Sequence, residues 1–176
     1  MIRCTAPVAL LCWVAMAHAE TLDLTPRWEY VADTVMGGVS SGQAVRQVVQ
    51  GRDAIRLTGS VSLDNNGGFV QIASDLADGA VFDASGYTGI ALDVVGNGET
   101  YDLRLRTDAL TRPWQSFRTE FTAPREWSTH KVPFDTFIAH RTEARFDVRR
   151  LRRIGILAIG REMQADIAVS AVRLYR

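Results

Sequence analysis

Cysteine is almost missing from this chain. Only Cys4 and Cys12 occur in 176 residues, and both lie in the first twelve positions. Beyond them no disulfide, thiolate metal site, haem-attachment motif or cysteine nucleophile is available. Lysine is scarcer still: Lys131 stands alone, and every other basic residue is arginine. Basic and acidic residues balance at 20 each. A chain without net positive charge offers no electrostatic case for a nucleic-acid partner. Histidine is confined to His18, His130 and His140. Neither of the last two accompanies a serine in a nucleophile elbow or an aspartate at a telling spacing, so nucleophilic catalysis has no motif to rest on.

Long apolar runs are also lacking, with one exception. Residues Ala6 to Ala17, "APVALLCWVAMA", form an apolar run of twelve. A bilayer span needs about 20. Arg3 precedes the run, and "AHA" (Ala17 to Ala19) supplies a small-x-small cleavage site before Glu20. Residues 1–19 therefore read as a cleaved secretory signal peptide. Cys12 follows Leu11, where a lipid-anchoring signal wants a small residue, so no lipid anchor is expected. The expectation is a periplasmic or secreted protein without stable membrane insertion. The single domain then runs over 20–176, roughly 157 residues, enough to build a packed core without cross-links.

No long helical period runs through that domain. Short apolar-alternating segments recur instead, punctuated by Gly, Asn and Asp, the pattern of an all-β sandwich or barrel. The alternation predicts strands at Trp28–Ala32, Gln43–Val49, Ala54–Leu63, Gly68–Ala73, Gly89–Val95, Thr100–Thr107, Trp114–Phe121, Ser128–Pro133, Ile154–Ile159 and Asp166–Tyr175. Asn97-Gly98 is the favoured pair for a two-residue hairpin turn. It would set Val94 opposite Tyr101, Leu92 opposite Leu103 and Ile90 opposite Leu105, all apolar, with a diagonal Asp93–Arg104 pair on the other face. The segment from Phe134 to Arg153 breaks the alternation. It reads as a long connection with one helical turn near Asp147–Leu151, capped by Asp147. Its arginines Arg149, Arg150, Arg152 and Arg153 read as a solvated loop.

Two stretches echo one another: "VMGGVS" (Val35 to Ser40) and "NNGGFV" (Asn65 to Val70). A phosphate cradle needs such glycines to open onto a helix, and no helical pattern follows either pair. Asp33, Asp64, Asn65 and Asn66 carry hard oxygens suited to calcium, but adjacent side chains cannot all converge on one ion. Turn formation explains Asp-Asn-Asn-Gly-Gly equally well. What remains is backbone geometry at Gly37, Gly38, Gly67 and Gly68, with polar tips and apolar anchors around it. Two tight corners, or two loops meeting in one recognition rim, both fit.

In order and spacing, "WEYVADTVMGGVSSG" (Trp28 to Gly42) and "LTGSVSLDNNGGFVQI" (Leu57 to Ile72) resemble the paired signatures of the complex I intermediate-associated protein 30 family. "FDASGYTGIALDVVGNGETYDLRLRT" (Phe82 to Thr107) is similar to its middle block, and "WQSFRTEF" and "WSTHKVPFDTF" to its later aromatic blocks. The resemblance implies a galactose-binding-like jelly-roll β-sandwich and a non-catalytic role as an assembly factor, or chaperone, for a respiratory membrane complex. Its signature falls on Trp28, Asp33, Met36, Gly37, Gly38 and Ser40, then on Asn65, Asn66, Gly67, Gly68 and Phe69. One departure is local: Arg141 is followed by Thr142 where the family often has Arg-Gly.

The expected function is therefore recognition of a protein partner, such as a membrane-complex subunit, through the rim of the two Gly-Gly loops. No enzyme activity, cofactor or metal is expected. The alternative is a periplasmic carbohydrate-binding module on the same rim, with Trp28 or Trp114 stacking on sugar beside Asn65, Asn66 and Arg106. Arg104, on the same strand as Arg106, completes the candidate binding set. A small hydrolase using Asp33 or Asp64 is the third reading.

Overall fold

The computed structural model describes residues 21–176. The signal segment expected at 1–19 lies outside the described residues. Strands β1 (Thr21–Leu24), β2 (Glu29–Ala32), β3 (Ser41–Val49), β4 (Arg52–Val61), β5 (Phe69–Asp75) and β6 (Gly89–Gly96) make up the first half. Strands β7 (Thr100–Thr107), β8 (Ser116–Thr122), β9 (Ser128–Pro133), β10 (Ile138–His140), β11 (Leu151–Ile159) and β12 (Met163–Tyr175) complete it. All ten expected strands are present, Thr100–Thr107 and Ser128–Pro133 with the expected bounds and the rest with shifted ends, and the short β1 and β10 are additional.

The strands form two antiparallel sheets packed as a jelly-roll sandwich. Sheet A runs β3-β4-β12-β6-β9, with β1 beside the C-terminal half of β12. Sheet B runs β10-β8-β7-β11-β5-β2. Alternation along each strand sends one apolar row inward. Leu57, Ile90, Leu92 and Ile167 of sheet A meet Ile72, Leu103, Leu105, Ile154 and Ile156 of sheet B, all fully buried. Each such side chain stabilises the fold by about 1.5–3 kcal/mol relative to exposure. Among the described residues no helix is long and apolar enough to cross a membrane.

The expected hairpin at Asn97-Gly98 is corrected by this topology. The chain does turn there, but β6 lies between β12 and β9, and β7 lies between β8 and β11. The turn is a crossover from one sheet to the other. Its backbone explains why: Gly96 donates to the Pro124 carbonyl (2.6 Å), Asn97 to Asp166 (3.1 Å) and Gly98 to Ala123 (2.8 Å). Ile90, Leu92 and Val94 still face the apolar positions of β7, across the core and not along one ladder. The diagonal Asp93–Arg104 pair is likewise absent. Asp93 binds Arg173 (2.7 Å) and Thr129 (2.5 Å), while Arg104 binds Asp102 (2.8 Å). The helical turn capped by Asp147 is present over Val148–Arg150, with the cap carboxylate accepting from the Arg149 amide at 3.0 Å. Three arginines of this segment meet carboxylates: Arg149 on Asp147, Arg150 on Asp108, and Arg153 on both Asp75 and Glu29.

Tyr101 ties the sheets together at the crossover. From β7 its hydroxyl donates to Asn97 Oδ1 (2.9 Å) and accepts the amide of Asp166 in β12 (2.9 Å). Burial pushes the phenol up to about 12. Tyr101→Phe leaves the Asp166 amide unpaired inside the protein and is expected to cost about 1–3 kcal/mol. Urea unfolding measures this; an unchanged midpoint refutes the tie.

Candidate functional site

The site starts where β2 ends. Asp33 opens a 3-10 turn, Asp33–Met36, and its side chain points inward, fully buried. One carboxylate oxygen accepts the amide of Ser40 at 3.0 Å. The other accepts the hydroxyl of Ser40 and the amides of Gly68 (2.5 Å) and Phe69 (3.2 Å). Ser40 Oγ in turn accepts the amide of Ser62 at 3.0 Å, at the end of β4. One carboxylate thus gathers the β2–β3 loop, the exit of β4 and the start of β5. A buried anion is costly unless such donors replace water, and charge-assisted bonds are the strong kind.

Both glycine pairs are explained by this carboxylate. A Cβ on Gly38 would lie 2.4 Å from Asp33 Cγ, and one on Gly67 would lie 2.6 Å from Asp33 Oδ2. The second glycine of one pair and the first of the other flank the same group. Gly37 caps the 3-10 turn, and Gly68 supplies the amide just described. Asn65 and Asn66 take left-handed φ values of 56° and 58°, as the Asp-Asn-Asn-Gly-Gly reading expects. Asp33 is therefore shut off from substrate and its oxygens are spent on protein donors. This corrects the hydrolase reading at Asp33 and its use as a calcium ligand. Among the described residues no three His, Cys, Asp or Glu side chains gather in a metal-ligating group.

The clasp fixes what the loops present outward. Val35, Met36, Val39 and Leu63 are exposed by 72, 58, 49 and 49% respectively. Asn65 and Asn66 are exposed beside them. Of these apolar side chains only Met36 was singled out from the sequence. The others carry a signal that went unused, since large aliphatics interrupt loops otherwise made of Gly, Ser, Asp and Asn.

The remaining candidates are not part of this rim. Trp28 precedes β2 and packs partly buried on the core. It sits about 16 Å of extended chain from Asp33. Phe69, the first residue of β5, is half-buried beside the clasp. β7 runs from the rim end toward the opposite end, so Arg106 and Trp114 lie at the far end of the sandwich. There Arg106 holds the β7–β8 loop by donating to the carbonyls of Arg112 (2.9 Å), Pro113 (2.6 Å) and Gln115 (3.2 Å). This leaves Trp114 48% exposed at the loop tip. Arg104 lies midway along β7 on the outer face of sheet B. It shares the buried Asp102 with Arg118, at 2.8 and 3.3 Å. A sugar site joining Trp28 or Trp114 to Asn65, Asn66 and Arg106 on one rim is excluded by this separation.

Two antiparallel sheets with a loop rim at one end and a polar outer face on sheet B place the chain in the class of jelly-roll β-sandwiches. Solved structures bear this out for the fold. A family 11 carbohydrate-binding module from Clostridium thermocellum, in complex with a β-1,3-1,4-mixed-linked tetrasaccharide, superposes with a TM-score of 0.71 at 13% identity, covering 90% of this chain and 96% of that one. A family 30 module of the Clostridium thermocellum cellulase Cel9D-Cel44B superposes with a TM-score of 0.59 at 12% identity, covering 88 and 96%. No curated protein sequence matches the chain. The profile of the complex I intermediate-associated protein 30 (CIA30) family matches residues 17–169, and the chain belongs to that family.

Burial alone raises the pKa of Asp33, but the Ser40 hydroxyl and the amides of Gly68, Phe69 and Ser40 outweigh it and hold the carboxyl below the ordinary aspartate value. The folded value is depressed. The clasp therefore contributes its full stability above the unfolded-state pKa and loses it as pH falls through the lowered folded pKa. Asp33→Asn should flatten that acid limb in a plot of thermal midpoint against pH; an unaltered limb would show that the carboxylate charge contributes nothing. Gly38→Ala should destabilise by about 1–3 kcal/mol, read by urea unfolding, because the methyl overlaps the carboxylate.

Proposed function

We propose that this domain is a non-catalytic, exported binding module that recognises a protein partner through the rim of Val35, Met36, Val39 and Leu63. One observation carries the reading: exposed aliphatic side chains crown two loops that a buried carboxylate locks together. Apolar side chains left in water on a loop invite a partner, and a preorganised rim loses little entropy on docking. The family name supports a role in assembling a membrane complex. The N-terminal apolar run supports an encounter on the outer side of the membrane, after removal of residues 1–19.

The test is crosslinking in the native host with a C-terminal tag, followed by recovery of the bound proteins. Met36→Glu and Leu63→Glu should each reduce recovery about tenfold or more, the scale of a central contact. Their thermal midpoints should stay at the wild-type value. Equal recovery from wild type and both variants would rule out the rim.

A second reading, glycan binding, draws on a different place. Trp114 is the only exposed aromatic among the described residues, held out by Arg106 at the edge of the polar face of sheet B. An exposed indole beside planar polar groups is the arrangement that stacks on a sugar ring. The fold shared with the carbohydrate-binding modules makes the mixed-linked β-1,3-1,4 tetrasaccharide a suitable probe. This reading expects quenching of tryptophan fluorescence by the probe, abolished in Trp114→Ala and kept in Met36→Glu. Silence at saturating probe rejects it without touching the rim.

A further inference from the structure

The two sheets have five edge strands, β3, β9 and the short β1 in sheet A and β10 and β2 in sheet B. An open edge offers unpaired N–H and C=O groups to any extended chain, so edges are normally blunted by shortness, proline or charge. Four of the five are. β10 has 3 residues and β1 and β2 have 4 each, while β9 ends in Pro133 and carries Lys131. β3 is guarded by a single charge, Arg46, alone. It runs 9 residues, "SGQAVRQVV", without proline, lysine or an acidic residue, and only Ala44 and Val49 are less than exposed. Val45 and Val48 stand 43 and 68% exposed on it. In length it presents about 30 Å of thinly guarded edge.

We infer that β3 is a self-association edge, pairing antiparallel with β3 of a second copy about a two-fold axis through Val45. The strand's own pattern selects this occupant. Val45 is the middle residue of Ser41–Val49, so this register alone pairs every residue of the strand. On the outer face it sets Val45 against itself and Gln43 against Gln47, an apolar centre flanked by amides that both donate and accept. These three side chains already line one wall of a shallow groove of 210 Å³, with Arg56 and Thr58 of β4 opposite. The strand's one charge, Arg46, meets Ala44 of the second copy. A two-fold through Arg46 would instead set two guanidiniums face to face, which costs stability. Sheet A then continues unbroken through both copies. Because the strands run opposite ways, the Gly-Gly rim preceding Ser41 lies at opposite ends of the pair and stays open in each copy. Such a dimer is bivalent for whatever the rim binds, though its existence does not depend on that reading.

The chain's two cysteines make a register test simple. In a Cys4→Ser, Cys12→Ser background, Val45→Cys places two thiols directly opposite across the axis. Their Cα atoms would then be about 4.5–5.5 Å apart, within disulfide range. Val48→Cys, the more exposed position, faces Gly42 of the second copy and is remote from its own mate. The expected result is a covalent dimer from Val45→Cys on mild oxidation and none from Val48→Cys. Sedimentation of the wild-type chain should give twice the monomer mass, and Val45→Lys should return it to the monomer with an unchanged far-ultraviolet circular dichroism spectrum. A monomeric mass at every concentration, with no more coupling at 45 than at 48, overturns the inference.

Discussion

The carboxylate of Asp33 lies fully buried where three segments of chain converge, and the local geometry of the rim end follows from its need for donors. Four protein groups supply them, three amides and one hydroxyl. Each must approach closely, which leaves no room for a Cβ at Gly38 or Gly67. Those constraints fix the loop paths, and the loop paths decide that Val35, Met36, Val39 and Leu63 face outward. The motif residues buried here spend their polar groups on one another and hold the rim in place.

The sandwich separates two surfaces that differ in chemistry. The rim end is aliphatic with asparagine tips. The outer face of sheet B is a lattice of arginine–carboxylate pairs, Arg104 and Arg118 on Asp102 and Arg153 on Asp75 and Glu29. At its far edge stands one indole. Proteins that share this architecture need not share a working surface, so the fold likeness to carbohydrate-binding modules and membership of the complex I intermediate-associated protein 30 family are compatible statements about one molecule.

Much of the architecture was legible in the sequence because inward alternation is a local property. The ten expected strands, the Asp147 cap and the left-handed asparagines all rest on neighbours within a few residues. The hairpin at Asn97-Gly98 failed for a physical reason. An apolar row on β6 and another on β7 match as well across a core as along a ladder, and only the distant partners Ala123, Pro124 and Asp166 decide between them. The clasp was invisible for the same reason: Asp33 and Gly68 are 35 positions apart. Trp114 was read as part of a strand because the contact that removes it, Arg106 on loop carbonyls, leaves no periodic trace. Its placement on the Gly-Gly rim failed with it, since sequence order carries no information about which end of a sandwich a loop occupies.

The hydrogen bond that the Gly68 amide donates to Asp33 also closes a non-covalent loop around a whole structural unit. The β3–β4 hairpin lies entirely between these two residues. It joins the rest of the protein chiefly through the pairing of β4 with β12 and through its inward side chains. The clasp thus pins the mouth of this hairpin, while the β4–β12 ladder and its inward side chains hold its length. The hairpin is anchored at its open end by a residue that lies outside it.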